Sequence, residues 1–297
     1  MVGASAQRMW QRLLAIDPRW LQITMLTAFI CYARFYLTQR IALENGALAI
    51  GGALFAERLG SRFSRRAFDP RSALITGLSL TLLLRTSMPS LMLAASLGAI
   101  TAKYSLRLNG KQVFNPSNIA IVAMTLLTPY AWISTGQWGQ TALLVAWIGG
   151  LGMLVCVRAT RLDLALTFSI AWGAALLLRG AWLGDPAAIA LHQLQDGTLL
   201  IFSFFMLTDP RATPDHRSAR IAFAVAVCGV AYYLRFVQYQ PDALIRALAV
   251  VSLATPLLDR WRHGARFQWR GVATAVASPP RVMPVNATLI REQAVSV

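Results

Sequence analysis

The sequence predicts an all-α, polytopic membrane protein with about ten transmembrane helices and both termini in the cytoplasm. Three observations predict it. The chain has 297 residues, 56% hydrophobic and only 13% charged, with a mean hydropathy of +0.52, whereas a soluble domain carries about a quarter charged residues. Apolar runs close to bilayer length recur from end to end. The 28 Lys and Arg outnumber 12 Asp and Glu, and they sit in the gaps between the apolar runs, where they orient helices in a bilayer.

The elements follow in order. Residues 1–20 form a basic, amphipathic segment with Arg8, Arg12 and Arg19, and no small-residue cleavage site follows it, so it reads as a cytoplasmic segment. Ten helix cores then fall near 21–38, 42–56, 72–86, 88–102, 118–133, 140–157, 162–179, 196–208, 220–237 and 243–258. Some are short for a bilayer, and the second and eighth, the least marked of the ten, could be tilted, broken or shielded by neighbours. With the N-terminus inside, 22 of the 28 basic residues lie in inner segments. The other six, Arg34, Arg40, Arg85, Arg179, Arg235 and Arg246, lie at outer helix ends, and the outer loop 180–195 has Asp185 but no Lys or Arg. One miscounted helix would scramble this alternation. The membrane domain is thus 21–260, and 261–297 is a basic, Pro-containing tail that reads as a poorly ordered cytoplasmic extension.

The net charge of +16 does not indicate nucleic-acid binding, because the basic residues punctuate helices and do not form an aromatic-studded face. Cys31, Cys156 and Cys228 are scattered and lack ligand or disulfide spacing. His192, His216 and His263 all fall in expected loops, too far apart for a ligand set. There is no Walker loop, Gly-x-Ser-x-Gly or Cys-x-x-Cys. No acidic residue sits in the middle of an expected helix, which weighs against a proton relay within this chain. Arg34 is the one charge well inside an apolar run; it either snorkels to the nearby helix end or holds a partner.

Asp-Pro-Arg occurs at 17–19, 69–71 and 209–211. Asp can cap a helix start and Pro suits the first helical position, so the first two copies read as helix punctuation. The third is followed by Pro214 and a long irregular stretch before Ile221. Irregular backbone is tolerated at membrane depth only where it is buried in protein or lines a cavity. Two polar islands therefore stand out on the same expected side. One holds Asn115, Ser117 and Asn118 around Pro116; the other holds Thr208, Asp209 and Thr213. Their amides and hydroxyls could hold a polar ring or a phosphate, or could serve only capping and packing.

Lys103, Asn109-Gly110 and Phe114-Asn115-Pro116 resemble the segment before the fifth helix in the D-subunit of Rnf electron-transport complexes. The B-subunit of the sodium-translocating NADH:quinone reductase belongs to the same family. Phe204-Phe205 with Thr208-Asp209-Pro210 and Pro214, Ser72-Ala73-Leu74-Ile75-Thr76-Gly77-Leu78, and Pro256-Leu257-Leu258-Asp259 are similar to further motifs of that family, in the same order. Gln112-Val113 replaces the first Asn-Pro of the family's double motif, and Arg211-Ala212-Thr213 stands where the family usually has an apolar residue and two small or hydroxyl residues. Helices five and six are joined by little more than Ser134–Gly139, and this connection has no Ser-x-Ala-Thr. Covalently attached FMN is therefore not expected, and the chain looks like the short branch of the family, including members associated with enediyne biosynthesis.

The resemblance implies a multi-pass subunit of the bacterial cytoplasmic (inner) membrane that takes part in electron transport. The expected cofactor is a non-covalent flavin, FMN or riboflavin, or one held by a partner, with Asn115, Asn118, Thr208, Asp209 and Thr213 as the cofactor-binding residues. Any catalysis would belong to an oxidoreductase complex; membrane lipid, a redox partner and other membrane subunits are the expected partners. The competing readings are a channel or carrier for a small solute, and a structural subunit packed through small residues such as Gly149-Gly150-Leu151-Gly152.

Overall fold

The computed structural model describes residues 17–36, 41–133 and 142–269, with no side-chain description for 142–148. The helix starts follow the prolines. Helix α1, Pro18–Phe35, α3, Pro70–Leu83, α4, Pro89–Ser105, and α5, Pro116–Leu127, each have Pro in the first turn, where its missing N–H breaks no hydrogen bond. Between the first two lies α2, Leu43–Phe63. This helix runs seven residues beyond its expected end at 56, so Glu57 lies within a helix and not in a loop. Gly77 of α3 makes that packing possible: a Cβ there would lie 2.8 Å from the Ile50 Cα, so α2 and α3 touch backbone to backbone.

Two short ladders follow, the first of which replaces the last turns of the third and fifth expected helices. Leu84–Thr86 (β1) pairs antiparallel with Ala131–Ile133 (β4), and Arg107–Leu108 (β2) with Lys111–Gln112 (β3). Thr128 precedes Pro129 and is extended, at φ −147° and ψ 138°. That ends α5 six residues early, because proline disfavours the α conformation in its predecessor. The β2–β3 hairpin turns through Asn109 and Gly110, both at positive φ (50° and 79°), as a two-residue Asn-Gly turn requires.

The second half holds α6, Ala142–Arg158, α7, Leu162–Leu183, α8, Ala187–Leu194, and α9, Gly197–Ile201, which opens into a π-turn at Phe202–Met206. Then come α10, Arg217–Phe236, α11, Ala243–Ser252, and α12, Thr255–Trp261. Helix α8 occupies the expected outer loop, so His192 is helical, and His216 is the N-cap of α10. The tenth expected helix is two, divided at Leu253–Ala254, because Pro256 cannot donate to the Ser252 carbonyl and clashes with it. The all-α class holds, with each of the ten expected helices represented among the described residues.

Helices α7 and α10 are long and apolar enough to cross a membrane, and apolar helices of 10–17 residues lie at Pro116–Leu127, Gly149–Arg158, Gly197–Met206 and Ala243–Ser252. Large apolar side chains also face outward: Trp182 is 89% exposed, Leu127 81% and Leu178 72%. The described helices belong to one compact unit ending at Phe267. Residues 1–16, the Ser134–Gly139 connection and 270–297 of the expected tail lie outside the described residues.

Candidate functional site

The π-turn is the hub. Inserting one residue per turn shifts the hydrogen bond to i→i+5, here Leu207 N–H to the Phe202 carbonyl at 2.9 Å, and such turns recur at functional sites. The Phe-Phe pair anchors it. Phe205 meets Phe29 edge-on with centroids 5.8 Å apart, and Phe202 meets Phe168 at 5.3 Å. Gly152 of α6 lets Phe204 approach, since a Cβ there would lie 2.7 Å from the Phe204 Cβ. The other two glycines expected to form a packing face, Gly149 and Gly150, have nothing within 4 Å of such an atom.

The two polar islands come together at this turn. Asn115 caps α5: its Oδ1 accepts from the Asn118 N–H at 3.2 Å and the Ser117 hydroxyl at 2.8 Å. Its Nδ2 donates to the Met206 carbonyl at 3.3 Å. Asn118 is fully buried; its Nδ2 donates to the Ile245 carbonyl of α11 at 2.9 Å and lies 3.6 Å from the Met206 sulfur. The Asn118 Oδ1 has no hydrogen-bond partner among the described residues. A buried polar atom left in this state is uncommon and calls for an explanation.

Thr208, Asp209 and Thr213 shape the chain beyond the turn. The Thr208 hydroxyl donates to the Phe204 carbonyl at 2.6 Å, and the Thr213 hydroxyl to the Asp209 carbonyl at 2.9 Å. Arg161, at the α6–α7 junction, donates to the Thr213 oxygen at 3.1 Å and the Pro210 carbonyl at 3.3 Å. Burial lowers the Arg161 pKa to about 10. The Asp209 Oδ1 accepts from the Arg211 N–H at 3.0 Å. Burial holds its carboxyl above the ordinary value, against the pull of that hydrogen bond and of the Arg211 and Arg161 charges. Asn115 and Asn118 thus meet the π-turn directly, while Thr208, Asp209 and Thr213 fold the following loop onto Arg161. None of the five lines the cavities beside the β2–β3 hairpin or the one beside Pro241.

The three Asp-Pro-Arg copies, two of which read as mere punctuation in the sequence, interlock. Arg19 is 2% exposed and binds its own Asp17 at 2.7 Å and Asp69 at 2.7 Å. Arg71 reaches Asp17 at 2.8 Å, and Arg211 reaches Asp69 at 3.2 Å. Burial alone would raise both carboxyls. The Arg19 hydrogen bonds and the Arg19 and Arg71 charges outweigh it at Asp17, and the Arg19, Arg211 and Lys103 charges outweigh it at Asp69, so both lie below the ordinary value.

Further pairs extend this clasp across the same end. Glu57 binds Lys103 at 2.7 Å, and Lys103 also reaches the Ser72 hydroxyl at 3.0 Å. Lys111 sits between Asp215 (3.0 Å) and Asp259 (2.7 Å), and Arg220 binds Asp163 at 2.7 Å. Sequence reasoning missed Glu57 as a helix residue and missed the clasp. The signal available for the clasp was the threefold repeat of one tripeptide.

Residues 129–268 match the NQR2, RnfD, RnfE family. Over 135 residues the chain is 29% identical to the D-subunit of the ion-translocating oxidoreductase complex of Stutzerimonas stutzeri, covering 46% of this chain and 38% of that protein. The D-subunits of the same complex from Klebsiella pneumoniae (strain 342) and Escherichia coli (strain K12) are 26% identical over 117 residues, or 39% of this chain and 33% of each relative. The chain thus aligns with between a third and two-fifths of the length of these relatives. The matched region contains the π-turn, the 208–214 loop and Asp259, and it begins after Asn115 and Asn118. The chain is thus similar to the NQR2, RnfD, RnfE family across residues 129–268, a region that holds the motifs at 204–214 and 256–259, while those at 72–78 and 114–116 lie before it.

Proposed function

We propose that the protein is a multi-pass subunit of an electron-transport complex of the RnfD type in the bacterial cytoplasmic membrane. Both termini lie in the cytoplasm, and the chain works with other membrane subunits and a redox partner. The observation that carries this reading is the family match through 129–268, together with relatives that are named as subunits of an ion-translocating oxidoreductase complex. The charge distribution supports the topology: the clasp, the Glu57–Lys103 pair, the hairpin and the 209–220 loop gather at one end, and all come from segments assigned to the inner side. The outward-facing Trp182, Leu178 and Leu127 suit a lipid surface.

The cofactor in this reading is a flavin, FMN or riboflavin, held without a covalent bond. The fit rests on Asn118: its buried, unpaired Oδ1 can accept from a ring N–H in a site that otherwise leaves it unsatisfied. Asn115, Thr208, Asp209 and Thr213 surround the same turn and would hold polar edges. Their hydrogen bonds now close on the backbone, so a ring admitted there requires the Phe202–Met206 turn to yield. When bound, the flavin supplies the electron-transfer chemistry, and the protein supplies orientation, hydrogen bonds and exclusion of water. The test is a visible-absorption spectrum of the purified protein in mild detergent, before and after incubation with FMN or riboflavin. A flavin spectrum is expected, with all flavin released on acid precipitation and little retained by Asn118→Ala. A protein that shows no flavin absorbance and recovers none contradicts the cofactor assignment.

A further inference from the structure

Two adjoining cavities lie beside the β2–β3 hairpin, away from the π-turn. The first, of about 190 Å³, is walled by the hairpin, by Asp215 and by the chain from Thr255 to Arg266. The second, of about 170 Å³, opens between the hairpin, Pro210-Arg211 and Phe267. They share Lys111, Gln112, Asp215 and Arg266. The wall is well defined: a Cβ on Gly264 would lie 2.7 Å from the Asp215 backbone, so the segment after α12 rests directly on the 215–216 backbone.

The chemistry of the walls is cationic. Five basic side chains line the pair of cavities, against the carboxylates of Asp215 and Asp259. Lys111 binds both carboxylates, and Arg211 is tied to Asp69. Arg107 donates to the Lys103 and Gly110 carbonyls, and Arg266 to the Asn109 carbonyl at 2.7 Å. A neutral carbonyl orients a guanidinium without cancelling its charge, so these two groups, with Arg260 beside them, leave the walls positive. Where the cavities meet, Gln112 is 4% exposed, and its Nε2 has no hydrogen-bond partner among the described residues. A buried donor facing a positive cavity calls for an acceptor that also carries negative charge.

We propose that these cavities form a binding site for a phosphate group, with the Gln112 amide and the Arg266, Arg260 and Arg107 guanidiniums as its donors. Phosphate matches the planar donor forks of arginine and can accept from several groups at once. The site belongs to the ion-paired end and is independent of the flavin assignment. The phosphate comes either from a soluble anion or from a lipid headgroup, and the two sources separate experimentally.

The full chain is purified in mild detergent, stripped of lipid, and titrated with inorganic phosphate by following its melting temperature. In parallel, native mass spectrometry compares binding of phosphatidylglycerol with that of a diacylglycerol bearing the same chains. The wild type is expected to bind phosphate in preference to chloride, or phosphatidylglycerol in preference to diacylglycerol, and the arm that responds identifies the source. Gln112→Glu, which places a carboxylate at the junction, is expected to weaken that binding roughly tenfold, and Arg266→Ala by about threefold. Gln112→Met, which removes the donor and adds no charge, is expected to fall between wild type and Gln112→Glu; it serves as the measured variant if the glutamate impairs folding. Arg179→Gln, on the far side of the bundle, leaves binding unchanged. Absence of preference in both arms overturns the proposal, as does wild-type affinity in Gln112→Met and Arg266→Ala.

Discussion

At one end of the bundle, ion pairs join elements far apart in sequence; at the other, Arg85 and Arg246 are met within one helical turn and Arg179 meets an aromatic ring. Arg19 reaches Asp69, Arg211 reaches the same carboxylate, and Lys111 ties the hairpin to Asp259 at the end of the chain's last described helix. At the opposite end, Arg85 donates to the carbonyl of Thr81, one turn back, and Arg246 pairs with Asp242 at i,i+4. Arg179 lies over the Phe236 ring, 4.4 Å from its centroid. The first arrangement fixes how helices meet. The second holds its charges by backbone, ring and one-turn contacts, so the two ends should respond differently to loss of a charge.

The largest effect is expected from the Glu57–Lys103 pair, with side chains 1% and 4% exposed. Lys103→Met leaves a buried carboxylate with its charge uncompensated and should cost about 3–5 kcal/mol in thermal or denaturant unfolding, whereas Lys103→Met with Glu57→Leu should recover most of it. If the double variant is as unstable as the single one, the hydrogen bonds to Ser72 and Tyr104 matter more than the charge.

Next comes the clasp. Asp69→Asn removes a carboxylate bound by Arg19 and Arg211 and should cost about 2 kcal/mol. The same group sets an acid response. Asp17 and Asp69 titrate below the ordinary value of 3.8 in the folded protein. Their contribution is complete above that value and is lost as pH falls through the lowered folded pKa. Unfolding measured against pH should therefore show an acid-side loss that Asp69→Asn makes shallower. The smallest effect is expected at the far end, where Arg179→Gln removes one cation–π contact and should cost about 0.5–1 kcal/mol. A cost there equal to that of Asp69→Asn would erase the distinction between the ends.

The helices were legible because apolar runs and prolines are local signals. Pro18, Pro70, Pro89 and Pro116 mark starts that the structure keeps. The departures also have local causes that run-counting overlooks: Pro129 ends α5, Pro256 divides the last span, and Gly197–Met206 changes helical period partway. Of the candidate site, the pairing of Asn115 and Asn118 with the 204–214 stretch was legible as two polar islands on one side. Their meeting point at Met206 was not, because a π-turn leaves no periodic mark in so short a segment. The ion pairs were least legible. Arg211 and Asp69 are 142 residues apart, and nothing local in either tripeptide names its partner. Glu57 was hidden by its neighbours: Arg58 and Arg62 made the end of α2 look like a loop.

The difference between the two ends has a direct physical counterpart, because they should lie on opposite sides of the membrane. In a background carrying Cys31→Ala, Cys156→Ser and Cys228→Ala, single cysteines at Asn109→Cys, on the exposed hairpin, and His192→Cys, on exposed α8, can be probed with a membrane-impermeant maleimide. The expected result is labelling of His192→Cys in intact cells and of Asn109→Cys only after the membrane is permeabilised. Labelling of Asn109→Cys in intact cells, or equal access to both positions, would contradict the cytoplasmic placement of the ion-paired end.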